Sequence, residues 1–291
     1  MIVVFINDFK NKEYLLGTIL FYFILFITYN ISVNTYDVSW DGQWYHQDAI
    51  IKLYNAWNPM HSASISNYSV IDSEMWIQHY PQASWYLQAS ILDLTEKIQS
   101  TKLINLILMF SVLILSYYTF SQILNFKSRI ASLLSSICIV LNPVACYQMN
   151  SFYVDGQSAM LLTIYILLLI QLVKYKSTFL YILLAGTFIY VCNIKFTNLV
   201  YISLITFIYY LLDLIKTKKI NYKLSIYFSI IYLITIFYVG YGSYGRNIIE
   251  KGHPFYPLMG KNNYGNVVTD VNKSANFINK NRFENFILSN F

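Results

Sequence analysis

The chain has 291 residues, of which 56% are hydrophobic and only 12% are charged, and its formal net charge is +6. Soluble domains carry about 25% charged residues, so the deficit excludes an ordinary soluble domain. Together with several apolar runs of about 20 residues, it indicates a polytopic membrane protein. Basic residues beside membrane spans account for the positive charge, which therefore gives no sign of nucleic-acid binding.

Seven apolar segments are long enough to cross a bilayer. In chain order they cover residues 14–33, 103–120, 130–147, 157–173, 178–194, 199–215 and 224–241. All seven are predicted to be helices, because lipid offers the backbone no other hydrogen-bonding partner. The predicted fold is therefore all-α and multi-pass, with residues 1–291 forming one transmembrane domain in contact with the lipid bilayer.

Basic residues concentrate before the first span and between alternate spans. They are Lys10, Lys12, Lys127, Arg129, Lys174, Lys176, Lys216, Lys218, Lys219 and Lys223. By the positive-inside rule these segments face the cytoplasm. We therefore expect a cell-membrane protein with a cytoplasmic N-terminus. A large first external loop would cover residues 34–102, and an external C-terminal segment would cover residues 242–291.

The first external loop shows helical periodicity in two places, so we expect it to fold onto the membrane surface and not to form a free linker. An apolar stripe with helical spacing follows Asp41. Its members are Ile50, Ile51, Tyr54 and Trp57. A second helical face, further along the loop, consists of Trp85, Ala89, Leu92 and Glu96.

The same loop opens with YDVSWDGQWYHQDAI, which contains Asp37, Asp41 and His46. Two interpretations of Asp41 stay open. Its carboxylate caps the helix that follows, as aspartate commonly does. Alternatively, Asp41 or Asp37 is a general base at the membrane surface, with a pKa tuned by partial burial beneath aromatic rings. His46 is a candidate for contacting the substrate or its phosphate.

The second external loop, NSFYVDGQ, contains one acid, Asp155, followed by a glycine. Asp155 either caps the fourth span or faces the same cavity as Asp41. In the second case it would hold an acceptor hydroxyl or a divalent cation, Mg²⁺ or Mn²⁺. Asp155 is therefore the candidate metal ligand of the chain.

Four basic or imidazole side chains are further candidates for binding substrate or phosphate. His79 precedes the second helical face and has either a structural role or a phosphate contact. Lys195 lies at the external end of the fifth span, against the positive-inside trend. It either snorkels to the headgroups or pairs with an anionic phosphate. Arg246, and His253 in GHPFYPLMG, could meet the same phosphate.

Several of these stretches resemble the GT-C superfamily of integral-membrane glycosyltransferases. The His-Tyr-Pro of QHYPQASWYLQASIL resembles the His-Pro-rich element before the second span in the branch that includes protein mannosyltransferases and lipid A aminoarabinose transferases. YDVSWDGQWYHQDAI and HPFYPL resemble stretches of uncharacterised bacterial members. The order of the acidic motif, the large first loop and the second-loop acid extends the resemblance over nearly the whole chain.

The resemblance implies transfer of a sugar from a polyprenyl-phosphate donor to a glycan, lipid or protein acceptor of the cell envelope, on the external side of the membrane. It implies an aspartate of the first external loop as base, with Asp41 the first candidate and Asp37 the second, and Asp155 as the second-loop acid. Superfamily members usually continue with further spans after a long external segment. This chain ends at Phe291 within such a segment, so the resemblance also implies a C-terminally truncated chain.

Two other functions stay open. The chain could be a non-catalytic or truncated membrane subunit of envelope polysaccharide assembly. A transporter or flippase is the third alternative, and it is disfavoured by the positions of the charges. Transporters place acids or broken helices at the bilayer midplane, whereas the middles of the predicted spans contain almost no charge.

Overall fold

The computed structural model describes residues 12–59, 71–124, 126, 128–260 and 284. All regular elements in these ranges are helical, which confirms the predicted all-α class for this part of the chain. The twelve α-helices of these ranges are α1 (Lys12–Val33), α2 (Gln47–Tyr54), α3 (Ile71–His79), α4 (Ala83–Thr95), α5 (Leu103–Tyr118), α6 (Arg129–Val140), α7 (Pro143–Gln148), α8 (Asp155–Lys174), α9 (Thr178–Cys192), α10 (Phe196–Thr217), α11 (Tyr222–Leu233) and α12 (Arg246–Lys251).

Five helical segments of the described chain are long and apolar enough to cross a membrane. They are Leu15–Val33, Ile98–Ile123, Asp155–Lys174, Phe196–Thr217 and Tyr222–Val239. Each of them coincides with one of the seven predicted spans. The five segments indicate a multi-pass membrane protein.

The third and fifth predicted spans are apolar helices of shorter length, α6 with 12 residues and α9 with 15. At 1.5 Å per residue, α6 extends only about 18 Å, against a hydrocarbon core of about 30 Å. The reason lies in the sequence. Pro143 cannot continue α6 and instead begins α7, where Asn142 caps the new helix.

Side-chain caps define where several helices begin. Oxygens of Ser128, Asn142, Ser177 and Asn221 accept hydrogen bonds from backbone N–H groups in the first turns of α6, α7, α9 and α11. Each bond satisfies a donor that the helix itself leaves open. The links that join α8 to α9, α9 to α10 and α10 to α11 are only three or four residues long.

Helices α8 to α11 share one apolar core. Tyr165 and Leu172 of α8 pack with Phe188 of α9, Ile202 of α10 and Phe228 of α11, and all five are buried. The opposite faces of the long helices expose large apolar side chains, for example Leu16, Phe21 and Phe26 of α1 and Val200, Leu204 and Phe207 of α10. This pattern is typical of helices that contact lipid.

Residues 34–59 and 71–102 form a folded layer over one end of the bundle, here named the helical cap. Its buried side chains pack against residues at the ends of the long helices. The shared cluster contains Tyr45, Ala49, Ile50, Ile77, Tyr80, Trp85, Ala89 and Leu92 of the cap, together with Phe152, Phe196 and Tyr244. The first large loop is thus a folded unit, as the periodicity predicted.

The buried face of the first cap helix differs from the predicted stripe. Ile50 is buried, but Ile51 is 37% exposed and Tyr54 is 45% exposed. A π-helical turn at Gly42–His46 precedes α2 and widens the helix there. The turn brings Tyr45 and His46 inward with Ala49 and Ile50. Along α4, Trp85, Ala89 and Leu92 are buried as predicted, whereas Glu96 ends the helix in a left-handed conformation and is exposed.

Candidate functional site

Asp37 joins the first large loop to the segment before α8. Its Oδ1 accepts a hydrogen bond from the backbone N–H of Ser39 at 2.8 Å, and its Oδ2 accepts one from Phe152 at 2.7 Å. The side chain is 5% exposed. A Cβ on Gly42 would lie 2.1 Å from Asp37 Oδ2, so only glycine fits beside this carboxylate. Asp37 therefore acts as a structural link between the two segments.

Asp41 directly precedes the π-helical turn and is half-buried. The prediction that its carboxylate caps the helix is wrong. Asp41 already has helical torsion angles and makes no capping bond, because the helical turn begins one residue before it. Its backbone N–H donates to Tyr153 Oη at 3.4 Å. Within the described residues, its carboxylate has no hydrogen-bond or ion-pair partner.

Burial raises the pKa of the Asp41 carboxyl above its ordinary value, and the negative charge of Asp155 raises it further, while the charge of Lys195 lowers it. The three side chains therefore share one electrostatic environment, although they come from distant parts of the sequence. A carboxylate with a raised pKa is a stronger base than one in water, provided that the pH is high enough to ionise it.

Asp155 is the first residue of α8, and it does not cap that helix. The N-cap is Val154, and no side chain caps the helix, so the capping prediction for Asp155 is also wrong. Its Oδ1 forms an ion pair with Lys195 Nζ, and its Oδ2 accepts a bond from Gln148 Nε2 at 3.4 Å. Lys195 therefore pairs with a protein acid, a partner that neither of its two predicted roles included, and a phosphate contact stays a prediction. The side chains of Lys195 and Asp155 are 29% and 38% exposed, so solvent or substrate can reach the pair.

His46 lies beside this group but is 1% exposed. Its Nδ1 accepts a hydrogen bond from Trp85 Nε1 at 2.8 Å, so Nδ1 carries no proton. Burial lowers the pKa of His46 to about 3, despite the opposing charge of Asp155. His46 is therefore neutral at physiological pH and contributes its ring to the wall of the site, not a cationic phosphate contact.

Aromatic rings pack around His46, beside the acids. Tyr45 packs on His46 with 4.2 Å between ring centroids, and Tyr153 contacts His46 edge-on at 6.4 Å. Burial raises the pKa of Tyr45 and of Tyr80, and the charges of Asp41 and Asp155 raise both further. The phenol groups thus stay protonated at physiological pH.

His79 and Arg246 belong to a second cluster, centred on Asn247. His79 Nδ1 lies 2.6 Å from Asn247 Oδ1, and burial lowers the pKa of His79 to about 4. Arg246 donates to the backbone carbonyls of Pro59, at 2.7 Å, and of Gln78. Both predicted phosphate contacts are therefore engaged with protein atoms and hold the helical cap to α12.

His253 is held within its own turn. Its Nδ1 accepts a hydrogen bond from the backbone N–H of Phe255 at 3.1 Å, and its ring lies 5.6 Å from the Phe255 ring. Within the described chain, no hydrogen bond or ion pair joins it to Asp41, Asp155 or Lys195. Of the eight predicted site residues, the structure brings together Asp41, Asp155, Lys195 and His46.

A divalent cation at Asp155 stays a prediction. In the described ranges, no group of three or more His, Cys, Asp or Glu side chains could hold a metal ion. Asp155 already has the ammonium group of Lys195 as its counter-charge. A positive charge therefore already lies beside the Asp155 carboxylate.

Four residues of the site were not predicted. Tyr153 contacts Asp41, and Gln148 contacts Asp155. Trp85 and Tyr45 both contact His46. Tyr153 lies in the NSFYVDGQ stretch that indicated Asp155, so its proximity to that acid was the available signal. The contact of Trp85 with His46 depends on how α2 and α4 pack, and no local pattern reveals it.

A cavity of about 480 Å³ opens in the helical cap between α2 and α4. Its wall includes the aromatic side chains Tyr54, Trp57 and Tyr86, with Ser90 and Asp93 as polar groups. Aromatic faces with a few polar groups are typical of ligand sites in proteins.

No protein-family model matches the chain, and no curated protein or solved structure matches it significantly. The function must therefore be inferred from the residues around Asp41.

Proposed function

We propose that the protein is a membrane glycosyltransferase that moves a sugar from a polyprenyl-phosphate donor to a hydroxyl of a cell-envelope glycan, lipid or protein. Asp41 carries the proposal. It is a half-buried carboxylate with a raised pKa and with no bonding partner among the described residues, and it lies in the field of the Asp155–Lys195 pair. A general base must be able to accept a proton and must be accessible to the substrate, and an unpaired, partly exposed carboxylate with a raised pKa meets both requirements.

The proposed reaction is a displacement at the anomeric carbon of the donor sugar. The Asp41 carboxylate takes the proton of the acceptor hydroxyl while the hydroxyl oxygen forms a bond to that carbon. The bond between the anomeric carbon and the phosphate oxygen breaks, and its electron pair leaves with the polyprenyl phosphate. A hydroxyl has a pKa far above 7, so the acceptor is the partner that needs a base.

Lys195 is proposed to neutralise the leaving phosphate. Its ammonium group is fixed by Asp155, which is in turn held by Gln148. A positive charge that is already in place stabilises the negative charge that develops on the leaving group. Asp155 is therefore a positioning residue for Lys195, and its own negative charge raises the pKa of Asp41.

The position of the site suits one substrate from lipid and one from water. The candidate span Leu15–Val33 ends shortly before Asp41, and the span Asp155–Lys174 begins at Asp155 itself. A polyprenyl chain could thus stay in the bilayer while its phosphate reaches Lys195. The proposal places this end of the bundle outside the cytoplasm and residues such as Lys216 inside.

The location of the ionisable residues argues against the transporter alternative. Within the five candidate spans they lie near the ends, as shown by Lys102, Asp155, Lys174, Asp213 and Lys223. A coupled transporter is expected to place such groups near the middle of the membrane. The non-catalytic alternative is separated from the proposal by experiment.

The test is transfer of radiolabelled sugar from polyprenyl phosphate in proteoliposomes that contain the purified full chain and an extract of envelope acceptors. Asp41→Asn is expected to reduce transfer by about 10²–10⁴-fold, the usual contribution of a general base. The matched control is Asp48→Asn, which alters an acid of the same loop that is paired with Lys52 and is expected to leave transfer unchanged.

Circular dichroism and gel filtration of each variant check that insertion and folding are intact. Transfer by Asp41→Asn at the wild-type rate would remove Asp41 as the base. No transfer by the wild-type protein with any of a set of hexose and pentose donors would instead favour the non-catalytic subunit.

A further inference from the structure

Two adjoining cavities lie at the end of the bundle opposite the helical cap. Their volumes are about 290 Å³ and about 510 Å³. Lys176, Tyr181, Asn221 and Leu224 line both of them, so they form one continuous cleft between the α8–α9 link, the C-terminal end of α10 and the N-terminal end of α11. This lysine cleft has no part in the site around Asp41.

Three ammonium groups converge on the cleft. Lys176, Lys216 and Lys223 line it, and none of them has a hydrogen-bond or ion-pair partner among the described residues. Lys174, only two residues before Lys176, behaves differently. It donates to the carbonyl of Gln122 at 2.7 Å and lies outside the cleft wall. The three lysines of the cleft wall therefore keep their ammonium groups free of protein partners in the described chain.

One acid opposes these charges. Asp213 lines the cleft, and its Oδ2 accepts a hydrogen bond from Asn221 Nδ2 at 3.2 Å. Asn221 is itself fixed, since its Oδ1 caps α11 through the N–H of Leu224 at 3.2 Å. Three positive groups against one carboxylate leave the mouth of the cleft positively charged. An anion is therefore the ligand that its electrostatics favour.

Below its charged mouth the cleft is apolar. Leu172, Leu212 and Leu224 form this part of the wall, with the rings of Tyr181 and Tyr209 beside them. Leu172 and Leu224 are buried and form the floor, whereas Leu212 is 60% exposed, so a hydrocarbon chain could lie against Leu212 at the edge of the cleft. The cleft thus combines a site for a negative group with a site for an acyl chain.

The link between α10 and α11 builds the rim of the cleft. Lys218 ends α10 in a left-handed conformation with φ 53°, and its N–H bonds to the carbonyl of Leu214 at 2.8 Å. The side chain of Asn221 then begins α11. This short reversal sets Lys216, in the last turn of α10, and Lys223, in the first turn of α11, on the same rim.

We propose that the lysine cleft binds a phosphate group carried by an anionic phospholipid, with the lysines around the phosphate and an acyl chain against the exposed Leu212. Basic pockets between membrane helices bind lipid headgroups in this way. Lysines whose role is only to set the orientation of a protein in the membrane need not line a cavity. Here the three lysines line one, and Asn221 fixes part of its wall. The proposal does not depend on the glycosyltransferase activity.

The experiment titrates the detergent-purified full chain with phosphatidylglycerol or with zwitterionic phosphatidylcholine and counts bound lipids by native mass spectrometry. The test variant is Lys176→Gln with Lys223→Gln. The control is Lys218→Gln with Lys219→Gln, which removes the same charge at the same end but outside the cleft wall. Lys216→Gln is a second, single-site test variant in case the double variant folds poorly.

We expect the wild-type protein and the control to prefer phosphatidylglycerol, and the cleft variants to lose at least about tenfold in affinity, as expected for lysines close to a lipid phosphate. Inorganic phosphate is added as a competitor. If it displaces the lipid only at the wild-type cleft, a free phosphate can use the same anion site, which supports the phosphate assignment. Equal affinity for both lipids, or equal losses in the cleft variants and the control, would overturn the proposal.

Discussion

The two ends of the bundle use charge in opposite ways. At the cap end, Asp37, His46 and His79 are nearly buried, and protein donors or acceptors hold each of them. At the lysine end, Lys176, Lys216 and Lys223 are exposed and line an open cleft. Burial at the cap end shifts the pKa values of the histidines, so the free energy of unfolding depends on pH. The ammonium groups at the lysine end stay in contact with solvent, so they remain ionised and can bind a ligand.

The largest contrast in stability should come from removing one asparagine at each end. The side-chain N–H₂ of buried Asn247 contacts the carbonyls of His79, Ser243 and Tyr256, and its Oδ1 contacts His79 Nδ1. Asn247→Ala leaves several buried groups unsatisfied, so we expect a loss of about 4 kcal/mol in the free energy of unfolding.

The matched change at the lysine end is Asn221→Ala, which removes the cap of α11 and should cost about 1 kcal/mol. Urea unfolding in detergent micelles measures both. Similar losses for the two variants would mean that the cap end is no more tightly organised than the lysine end.

Glycine substitutions give the next contrast. A Cβ at Gly42 would collide with Asp37 Oδ2 and, at 2.2 Å, with Ser39 Oγ. Gly42→Ala is therefore expected to displace the Asp37 carboxylate from Phe152 and to cost about 3 kcal/mol. Gly186 lies in α9, and a methyl group added there would meet no atom within 4 Å. Gly186→Ala should therefore be neutral or stabilise by up to about 1 kcal/mol.

Thermal unfolding in micelles compares the two glycine variants. Because the Asp37 link also positions the segment that contains Tyr153, Gly42→Ala should reduce sugar transfer as well. A stable and fully active Gly42→Ala variant would show that this link is dispensable.

Acid should weaken the cap end through its two buried histidines. The pKa of His46 is lowered to about 3 and that of His79 to about 4, both by burial. The unfolded chain binds these protons near its ordinary pKa of about 6.5, whereas the folded chain does not. Stability should therefore fall as the pH drops from about 6.5 towards 4, by about 3 kcal/mol over the first 1.5 pH units for the pair.

His46→Asn isolates one of these contributions, because the asparagine Oδ1 can accept the Trp85 indole hydrogen bond but cannot titrate. The variant should show a shallower decline in stability with falling pH than the wild type. The titration of Asp41 acts in the opposite sense and cancels in this difference. An unchanged slope would show that His46 does not titrate on unfolding.

The smallest expected effect is a pair of opposite shifts in the pH dependence of transfer. Transfer needs ionised Asp41, so it should fall as the pH drops through the raised pKa of that group. Asp155→Asn removes a negative neighbour and should move this acid limb to lower pH. Lys195→Gln removes a positive neighbour and should move it to higher pH, with a reduced maximal rate. Shifts in the same direction would contradict the electrostatic assignment.

The seven apolar segments and the folded first loop could be predicted because their signals are local. Hydrophobic run length and helical spacing depend on neighbouring residues only, and α1, α5, α8 and α10 begin and end within three residues of the predicted spans. The span that begins with α11 continues beyond Leu233 as a π-helical segment, Ile234–Val239. The spacing rule failed after Asp41, where the π-helical turn altered the period and turned Ile51 and Tyr54 outward.

The sequence by itself determined that this protein is helical and that several of its helices can cross a membrane. Only the tertiary structure decided what each ionisable group does. It paired Asp155 with Lys195, bonded Asp37 to Phe152, made His46 an acceptor for Trp85, and left the Asp41 carboxylate unpaired within the described chain. The reason is physical. Apolar periodicity is a property of one segment, whereas burial, ion pairing and pKa depend on which distant segments pack around a side chain.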